Sequence, residues 1–460
     1  MSEFSQHTKK LIRLAVPVAI NDVASAALIL TDMIMAGRLG IAELAAVGIG
    51  SLIWWSIYGF SIGVVIAIRA IVGQQYGARK YELIGQYTTQ ALWVSQLVAV
   101  LMLILYWLVR PLIHSVAFQP TLAPHVFAYL DTVVFALPSL IAFFCLRYAS
   151  EGIAHTKAAM YVVLLAVIFN IFADWVLMFG KFGLPAMGVQ GTALATVITT
   201  WFMLIAIVVY IRVNHSVYQQ TKMLRCWQWP KRDAISEILR LGVPIGIADF
   251  SVNVLYAIVG SIVGVLAADL SAIHQVLFSY EDTIFRVSLA LYAATNIAVS
   301  LSVGSFNPEL ARRWALHALM LASIFLVAFV SLGFIFRHLV AGVYTADEMV
   351  REGVVQLFWL MLIFQVFNGL RIVTLGALRG YKDVRVPMFM NFAAFYLLGL
   401  PVICIGVFVY DFGLAWVWFG LSVMMGVYFL MLLIRFIVIA NREIRDHPER
   451  DETSLTLIIP

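Results

Sequence analysis

The sequence has few charged residues for its length. Of 460 residues, 12% are charged and 63% are hydrophobic, and the mean hydropathy is +0.95. In soluble globular proteins about a quarter of the residues are charged, and polar groups cover much of the surface. The shortage excludes a soluble enzyme, a disordered chain and a fibrous protein, and it indicates an integral membrane protein.

Paired cysteines and nucleotide-binding motifs are also lacking. The three cysteines, Cys145, Cys226 and Cys404, have no spacing typical of a disulfide framework or a zinc site, and we interpret them as small hydrophobic residues. The chain contains no GxxxxGKS/T phosphate loop and no GxGxxG motif after a strand. We therefore predict a protein that is not an enzyme, binds no metal or cofactor, does not use ATP, and draws its energy from an ion gradient.

The sequence contains many long apolar runs. A helix of about 20 apolar residues crosses about 30 Å of hydrocarbon. Such runs begin near residues 13, 44, 87, 126, 158, 187, 236, 272, 313, 351, 386 and 413. They are continuous rather than alternating, which excludes a transmembrane β-barrel. The fold class predicted is an all-α integral membrane protein with twelve transmembrane helices.

Positive charges are unevenly divided between the two sets of loops. If both termini lie on one side, 23 of the 30 Lys and Arg residues fall on that side, and cytoplasmic loops are those enriched in these residues. We predict a multi-pass protein of the plasma (inner) membrane with cytoplasmic termini, whose pI near 9.0 requires no nucleic acid. The count places Arg147, Arg371 and Arg379 on the cytoplasmic side, and Arg69 is expected to reach the interface with its long side chain.

The two halves of the chain resemble each other. Leu14-Ala-Val-Pro17 opens the first half and Leu241-Gly-Val-Pro244 opens the second, 227 positions later, and Asp22 then aligns with Asp249. We predict an N-terminal lobe with spans 1–6 (residues 1–211), a cytoplasmic linker (212–235), and a C-terminal lobe with spans 7–12 and a cytoplasmic tail (236–460). Duplicated layouts of this kind are common in secondary transporters.

Polar residues inside the spans point to a site in the N-terminal lobe. An ionised group in hydrocarbon is costly, so intramembrane carboxylates mark functional sites. Asp32, Asp174 and Thr196 lie at similar depth in the first, fifth and sixth spans, and Asn170 and Thr192 each stand one helical turn away on the same helix face. We predict that these five residues form one cation-coupling site.

The chemistry of this site leaves two alternatives open. Two carboxylates in one apolar pocket cannot both stay charged without a large energetic cost, so the pair can carry a proton. It can equally hold a monovalent cation with oxygen ligands. Hydrogen bonding that merely joins the helices is the structural alternative.

Six further polar residues are candidates for the substrate pathway. They are Asn21, Ser25, Asp22, Glu281, Asp282 and Arg286. Asp282 and Arg286 are four residues apart, which predicts an ion pair within one helix, with a substrate or gating role as the alternative. Asp22 and its repeat partner Asp249 are expected to shape the inner mouth of a pathway or to lock helices together.

Short motifs occur in a fixed order along nearly the whole chain. They are Pro17, Asp32-Met-Ile-Met-Ala-Gly37, Leu44-Ala-Ala-Val-Gly48, Val72-Gly-Gln-Gln-Tyr-Gly-Ala-Arg79-Lys80, Gly180-Lys-Phe-Gly183, Gly188-Val-Gln-Gly-Thr-Ala-Leu-Ala-Thr196 and Leu378-Arg-Gly-Tyr-Lys-Asp383. With the six-plus-six layout, they resemble the multidrug and toxic compound extrusion (MATE) transporters. Asn170 and Asp174 resemble a span-five pair of the branch named for DNA-damage-inducible protein F.

The resemblance implies an exporter of cationic drugs that is driven by inward flow of protons or sodium and alternates the access of two lobes. It assigns Asp32 to cation coupling, and the branch's span-six threonine corresponds to Thr192 or Thr196. Some members have a C-lobe ion site with a glutamate and an aspartate at the positions of Val252 and Asn368, so that site is not expected here.

These observations together predict a multidrug exporter that exchanges organic cations for protons. We expect a monomer in the lipid bilayer that binds small-molecule cationic drugs and neither ATP nor nucleic acid. Sodium coupling at the same N-lobe site and a flippase for lipid-linked substrates are the alternatives. A passive channel would not need the coupling carboxylates.

Overall fold

The computed structural model describes residues 3–115, 122–225 and 227–447, with side chains from residue 6 onward and not at residue 115. In these ranges the chain forms helices joined by turns and short irregular connections, and it contains no strand. Cys145 and Cys404 are free thiols, and Cys226 lies outside the described residues.

Helices follow one another along the whole described chain. They are α1 (Glu3–Gly37), α2 (Ile41–Val65), α3 (Ala67–Gly77), α4 (Tyr81–Ser115), α5 (Ala123–Val133), α6 (Leu137–Gly152), α7 (Lys157–Phe179), α8 (Val189–Val213), α9 (His215–Tyr218), α10 (Arg232–Leu266), α11 (Ala268–Gly304), α12 (Pro308–Ile335), α13 (Arg337–Tyr344), α14 (Glu348–Gly380), α15 (Arg385–Phe392), α16 (Leu400–Phe408) and α17 (Gly413–Asp446). A 3₁₀ turn, Val134–Ala136, connects α5 to α6, and a π-helical stretch, Ala393–Gly399, connects α15 to α16.

Twelve helical segments of the described chain are long and apolar enough to cross a membrane. They are Gln6–Gly37, Ile41–Gly77, Tyr81–His114, Ala123–Gly152, Lys157–Phe179, Val189–Val213, Arg232–Leu266, Ala268–Gly304, Pro308–Ile335, Glu348–Gly380, Arg385–Phe408 and Gly413–Asp446. Each starts within a few residues of a predicted span. The all-α membrane architecture with twelve transmembrane helices is therefore confirmed.

Prolines account for two places where a span departs from regular α-helical geometry. Pro138 follows the 3₁₀ turn before α6, and Pro401 follows the π-helical stretch before α16. A proline lacks the backbone N–H and clashes with the preceding turn, so the helix changes geometry just before it. Pro17 and Pro244 occupy matching places inside the long helices α1 and α10.

The chain packs as two compact units. The first unit is residues 20–247, and the second unit joins the residues up to Ala19 with those from Ala248 onward. Both boundaries lie about three residues after the proline of a long helix, at matching positions of the two halves. The units differ from the predicted lobes, 1–211 and 236–460, because the start of α1 packs with the second half of the chain and the start of α10 packs with the first.

Glycines account for the packing of the start of α10 in the first unit. A Cβ added at Gly242 would lie 2.1 Å from the Val64 carbonyl oxygen, and one added at Gly63 would lie 2.6 Å from the Cα of Gly246. Gly242 and Gly246 form the GxxxG spacing that lets membrane helices approach closely. Larger residues at these positions would force the two backbones apart.

Small residues also join the helices that carry the predicted site. α7 and α8 pack against each other in the first unit, with Ala173, Leu177 and Ala195 buried as a small apolar cluster. Ala173 and Leu177 lie on the same part of α7 as Asp174, and Ala195 lies on α8. The apolar packing therefore fixes the position of that carboxyl group.

Candidate functional site

Four of the five predicted coupling residues meet in one buried pocket of the first unit. Asn170 donates from Nδ2 to Asp32 Oδ1 at 2.8 Å and to Asp174 Oδ2 at 2.7 Å. Thr196 Oγ1 lies 3.4 Å from Asp32 Oδ2. Asp32 is 8% exposed and Asp174 is fully buried. The pocket thus connects α1, α7 and α8 through one amide, two carboxyl groups and one hydroxyl.

The carboxyl groups of this pocket have no basic partner in the part of the chain that the structure describes. Within the described residues, neither Asp32 nor Asp174 forms an ion pair with Lys, Arg or His. Both carboxyl groups accept from the same nitrogen of Asn170 and so lie close together; two carboxylates have only acceptors, so a hydrogen bond between them would require a proton on one of them. Asp174 Oδ1 is buried and has no donor among the described side chains. The pocket is suited to hold a proton or another small cation.

The structure distinguishes the two candidate threonines. Thr192 is fully buried, its Oγ1 has no hydrogen-bond partner among the described residues, and its carbonyl oxygen accepts the hydroxyl of Thr196 at 3.1 Å. Thr192 therefore lies outside the group of bonded side chains. Thr196 is the threonine that reaches a carboxyl group, although its role in coupling stays a prediction.

The inner part of α1 belongs to a different cluster. Asp22 Oδ1 pairs with Arg147 Nη2 at 2.9 Å, Asn21 Nδ2 donates to the same Asp22 oxygen at 3.1 Å, and Ser25 bonds the Asn21 carbonyl at 2.9 Å. Asn21 and Ser25 are thus separate from the Asp32 pocket. Of the two interpretations of Asp22, this geometry is that of a lock between helices.

One prediction for the arginines in this region is wrong, and the cytoplasmic side of Arg147 stays a prediction. Arg69 does not reach the interface: it is 2% exposed, and its Nη2 pairs with Glu151 Oε2 at 2.5 Å. Arg147 is likewise buried, and its Nε pairs with Glu151 Oε1 at 2.7 Å. Glu151 is a site residue not predicted from the sequence, and its four-residue spacing from Arg147 is the signal that indicates it. A buried carboxylate between them holds both guanidinium groups inside the unit.

A second amide-centred cluster lies in the second unit. Glu281 Oε1 accepts from Asn368 Nδ2 at 2.9 Å, and Asn368 Oδ1 accepts from Arg371 Nε at 3.1 Å and from Arg371 Nη2 at 2.7 Å. All three side chains are buried. The predicted pair of Asp282 and Arg286 forms at 2.6 Å, and Glu281 is not part of it.

The second unit also buries two arginines that were placed with the cytoplasmic charges. Arg371 and Arg379 lie on α14 with 4% and 6% exposure. Arg379 pairs with Asp249 at 2.7 Å and donates to the Tyr292 hydroxyl at 2.8 Å. Each guanidinium thus has a partner inside the unit, Arg379 lies in the last turn of α14, and the cytoplasmic side of both residues stays a prediction.

The chain is similar to known proteins along most of its length. A family model described as MatE matches the chain twice, over residues 17–176 and 244–405, which confirms the internal duplication. Multidrug resistance protein PmpM of Pseudomonas aeruginosa is 30% identical over 450 residues, covering 95% of this chain and 93% of that protein. Multidrug resistance protein NorM of Photobacterium profundum is 30% identical over 404 residues, covering 87% and 88%.

Solved structures share the fold. The eukaryotic MATE transporter AtDTX14 superposes with a TM-score of 0.86 at 20% identity, covering 97% of this chain and all of that one. A MOP superfamily transporter from Pyrococcus furiosus gives the same TM-score at 19% identity, covering 95% and 96%. The repeated family match and the two relatives show that the chain belongs to the MatE family, the MATE transporters that its motifs resemble.

Proposed function

We propose that this protein exports cationic drugs in exchange for protons that bind at Asp32 and Asp174. One observation carries the proposal: two buried carboxyl groups share a single amide and have no basic partner among the described residues. Two of the similar proteins are named multidrug resistance proteins, which supports drugs as the substrates. The predominance of Lys and Arg on one side supports an inner-membrane protein with cytoplasmic termini.

The charge of the pocket explains how a cationic drug is exchanged for protons. With one proton bound, the two carboxyl groups can hydrogen-bond to each other and the pocket carries one negative charge. With both groups ionised, the repulsion in a buried site favours uptake of any available cation. A second proton neutralises the pocket and removes its attraction for an organic cation. Proton binding and drug binding therefore oppose each other.

The pocket also connects this exchange to helix packing. Asp32 lies on α1, Asn170 and Asp174 lie on α7, and Thr196 lies on α8, so the charge of the carboxyl groups determines the hydrogen bonds between three helices. Coupling requires that protons and drug favour different conformations, because a ligand with equal affinity for both shifts neither. We infer that protonation changes how α1 packs on α7 and α8.

The orientation of Asn170 favours a proton over sodium. A sodium ion needs several oxygen ligands, yet Asn170 presents its NH₂ group to both carboxyl groups, and an N–H donor cannot ligate a cation. In this orientation the carboxyl oxygens and the hydroxyl of Thr196 are the oxygen atoms gathered at the pocket, and Asn170 would have to turn its amide over to add a further ligand. A proton needs only one of the carboxyl oxygens.

Everted membrane vesicles with an imposed pH gradient test the proposal. Ethidium or a fluoroquinolone is added with and without sodium, and proton release is followed for wild type and Asp32→Asn. We expect drug-triggered proton release that needs no sodium and is lost in the variant. Release only in the presence of sodium would change the coupling ion, and export by Asp32→Asn at the wild-type rate would refute the proposed site.

A further inference from the structure

The segment that links the two halves is fixed against α4 in the first unit. Gln90 donates from Nε2 to the Trp229 carbonyl at 3.0 Å and accepts from the Lys231 backbone N–H at 2.7 Å. Trp93 donates from Nε1 to the Gln228 carbonyl at 3.1 Å. These three bonds satisfy backbone groups of residues 228–231 with side chains of a transmembrane helix. The segment is therefore held in one position rather than tethered only at its ends.

Two linker tryptophans are largely exposed although the backbone is held. Trp229 is 81% exposed and Trp227 is 65% exposed. Their rings lie 6.4 Å and 5.4 Å from that of Trp93, and Trp229 is nearly parallel to it at 13°. We call Trp93, Trp227 and Trp229 the linker tryptophan cluster. Its exposed indole surface requires an apolar or interfacial neighbour.

This cluster continues the lipid-facing side of α4. The residues Leu97, Leu101, Ile104 and Leu108 are about half or more exposed and follow Trp93 at steps of three or four, which places them on one helix face. An exposed leucine and isoleucine row on a membrane-spanning helix faces hydrocarbon. The cluster lies one turn before this row, at Trp93, which is the thirteenth residue of α4. Indole rings favour that level, where hydrocarbon meets headgroups.

Basic side chains lie beside the cluster. Lys231 and Arg232 directly follow it and are exposed, and Asp233 is the acidic residue next to them. Further back, Lys222 pairs with Glu82 at 2.5 Å and Arg225 contacts His215. The segment carries net positive charge next to its exposed indoles. This combination complements a membrane surface with negatively charged headgroups.

We propose that the linker tryptophan cluster, with Lys231 and Arg232, is a docking surface for anionic phospholipid headgroups. The indoles lie at the boundary of the hydrocarbon, and the two cations lie above it at the level of the phosphates. Docking would hold the connection between the halves at the membrane surface. Each basic residue close to such a surface strengthens binding about fivefold.

Brominated lipids test this proposal on the full-length protein in nanodiscs. The emission of the linker indoles is obtained as the difference between wild type and the double variant Trp227→Phe/Trp229→Phe. We expect brominated phosphatidylglycerol to quench this difference emission at a mole fraction at least about fivefold lower than brominated phosphatidylcholine. If the double variant does not fold, the single variants Trp227→Phe and Trp229→Phe supply the difference.

A charge-matched pair of variants separates headgroup recognition from folding. Lys231→Gln/Arg232→Gln should remove the preference for phosphatidylglycerol, whereas Lys231→Arg/Arg232→Lys should keep it. Absence of quenching by either lipid would show that the indoles do not contact the bilayer. Equal quenching by both lipids would show that headgroup charge is not recognised. Either result overturns the proposal.

Discussion

The two units each bury an asparagine next to a carboxyl group, but they use the amide in different ways. In the first unit, the NH₂ group of Asn170 donates to both Asp32 and Asp174. In the second unit, Asn368 donates to Glu281 and accepts two bonds from Arg371. The first arrangement gathers two acids, and the second places one acid and one base at the two ends of an amide.

This difference separates an exchangeable charge from a fixed one. The guanidinium of Arg371 is part of the chain and is linked to Glu281 through Asn368, so a basic group built into the unit lies next to this acid. The acids of the first unit have no such partner among the described residues, so their counter-charge must come from solution. Exchange of cations requires an acid whose counter-charge can leave and return. For this reason we propose that coupling takes place in the first unit.

The largest expected effect is on stability, from removing the acid of the balanced cluster. Glu281→Gln removes the acid that Asn368 links to the buried Arg371 guanidinium. Breaking a direct buried charge pair costs about 3–5 kcal/mol, and this amide-bridged one should cost up to that much. We expect a clear fall in the thermal unfolding midpoint of the purified protein in detergent. The double variant Glu281→Gln/Arg371→Gln removes both charges and should recover most of the loss. A double variant as unstable as the single one would show that the two charges are not coupled.

A cationic side chain placed in the pocket of the first unit should abolish the exchange of drug for protons. Asn170→Lys places an ammonium group next to Asp32 and Asp174 and so imitates the fixed balance of the second unit. We expect drug-triggered proton release in vesicles to fall at least about tenfold, which corresponds to about 1.4 kcal/mol. Asn170→Leu is the matched control for the lost amide, and the two variants should differ in the pH dependence of any residual export. Normal export by Asn170→Lys would contradict the assignment of coupling to this pocket.

A smaller effect should distinguish the two threonines on α8. Thr196→Val removes the hydroxyl that lies 3.4 Å from Asp32, and a hydrogen bond of modest strength contributes about 0.5–1.5 kcal/mol. Since this one is long, we expect export to fall about two- to threefold in a vesicle assay. Thr192→Val is the control of equal shape change, and it should leave export unchanged because the Thr192 hydroxyl contacts neither acid. Equal losses in both variants would indicate a packing effect.

Sequence alone predicted the spans and most of the pocket, for physical reasons. The length of the apolar runs is set by the thickness of the hydrocarbon, which leaves few alternatives to twelve helices. Asp32, Asn170 and Asp174 were brought together by helix periodicity and by depth counted from the span ends. Thr192 and Thr196 could not be separated, because a step of four residues keeps the helix face and only depth distinguishes them.

Other features depend on long-range contacts that the sequence does not encode locally. Arg69 and Glu151 pair across 82 positions, and nothing near Arg69 in the sequence indicates that partner. The unit boundaries lie inside α1 and α10, where an unbroken helical pattern continues from one unit into the other. Helix periodicity describes which residues share a face but not where the packing partner of that face changes.

The smallest expected effect is a change in stability opposite in sign to the loss expected for Glu281→Gln. Asp32→Asn replaces one of two neighbouring acids with a neutral side chain that can donate to Asp174, so it removes repulsion instead of leaving a buried charge unpaired. The thermal unfolding midpoint of Asp32→Asn should equal or slightly exceed that of wild type, by no more than about 1 kcal/mol. The same variant should have lost proton exchange, which separates function from stability. A loss as large as that of Glu281→Gln would mean that Asp32 is balanced by a cation after all, and the contrast between the units would disappear.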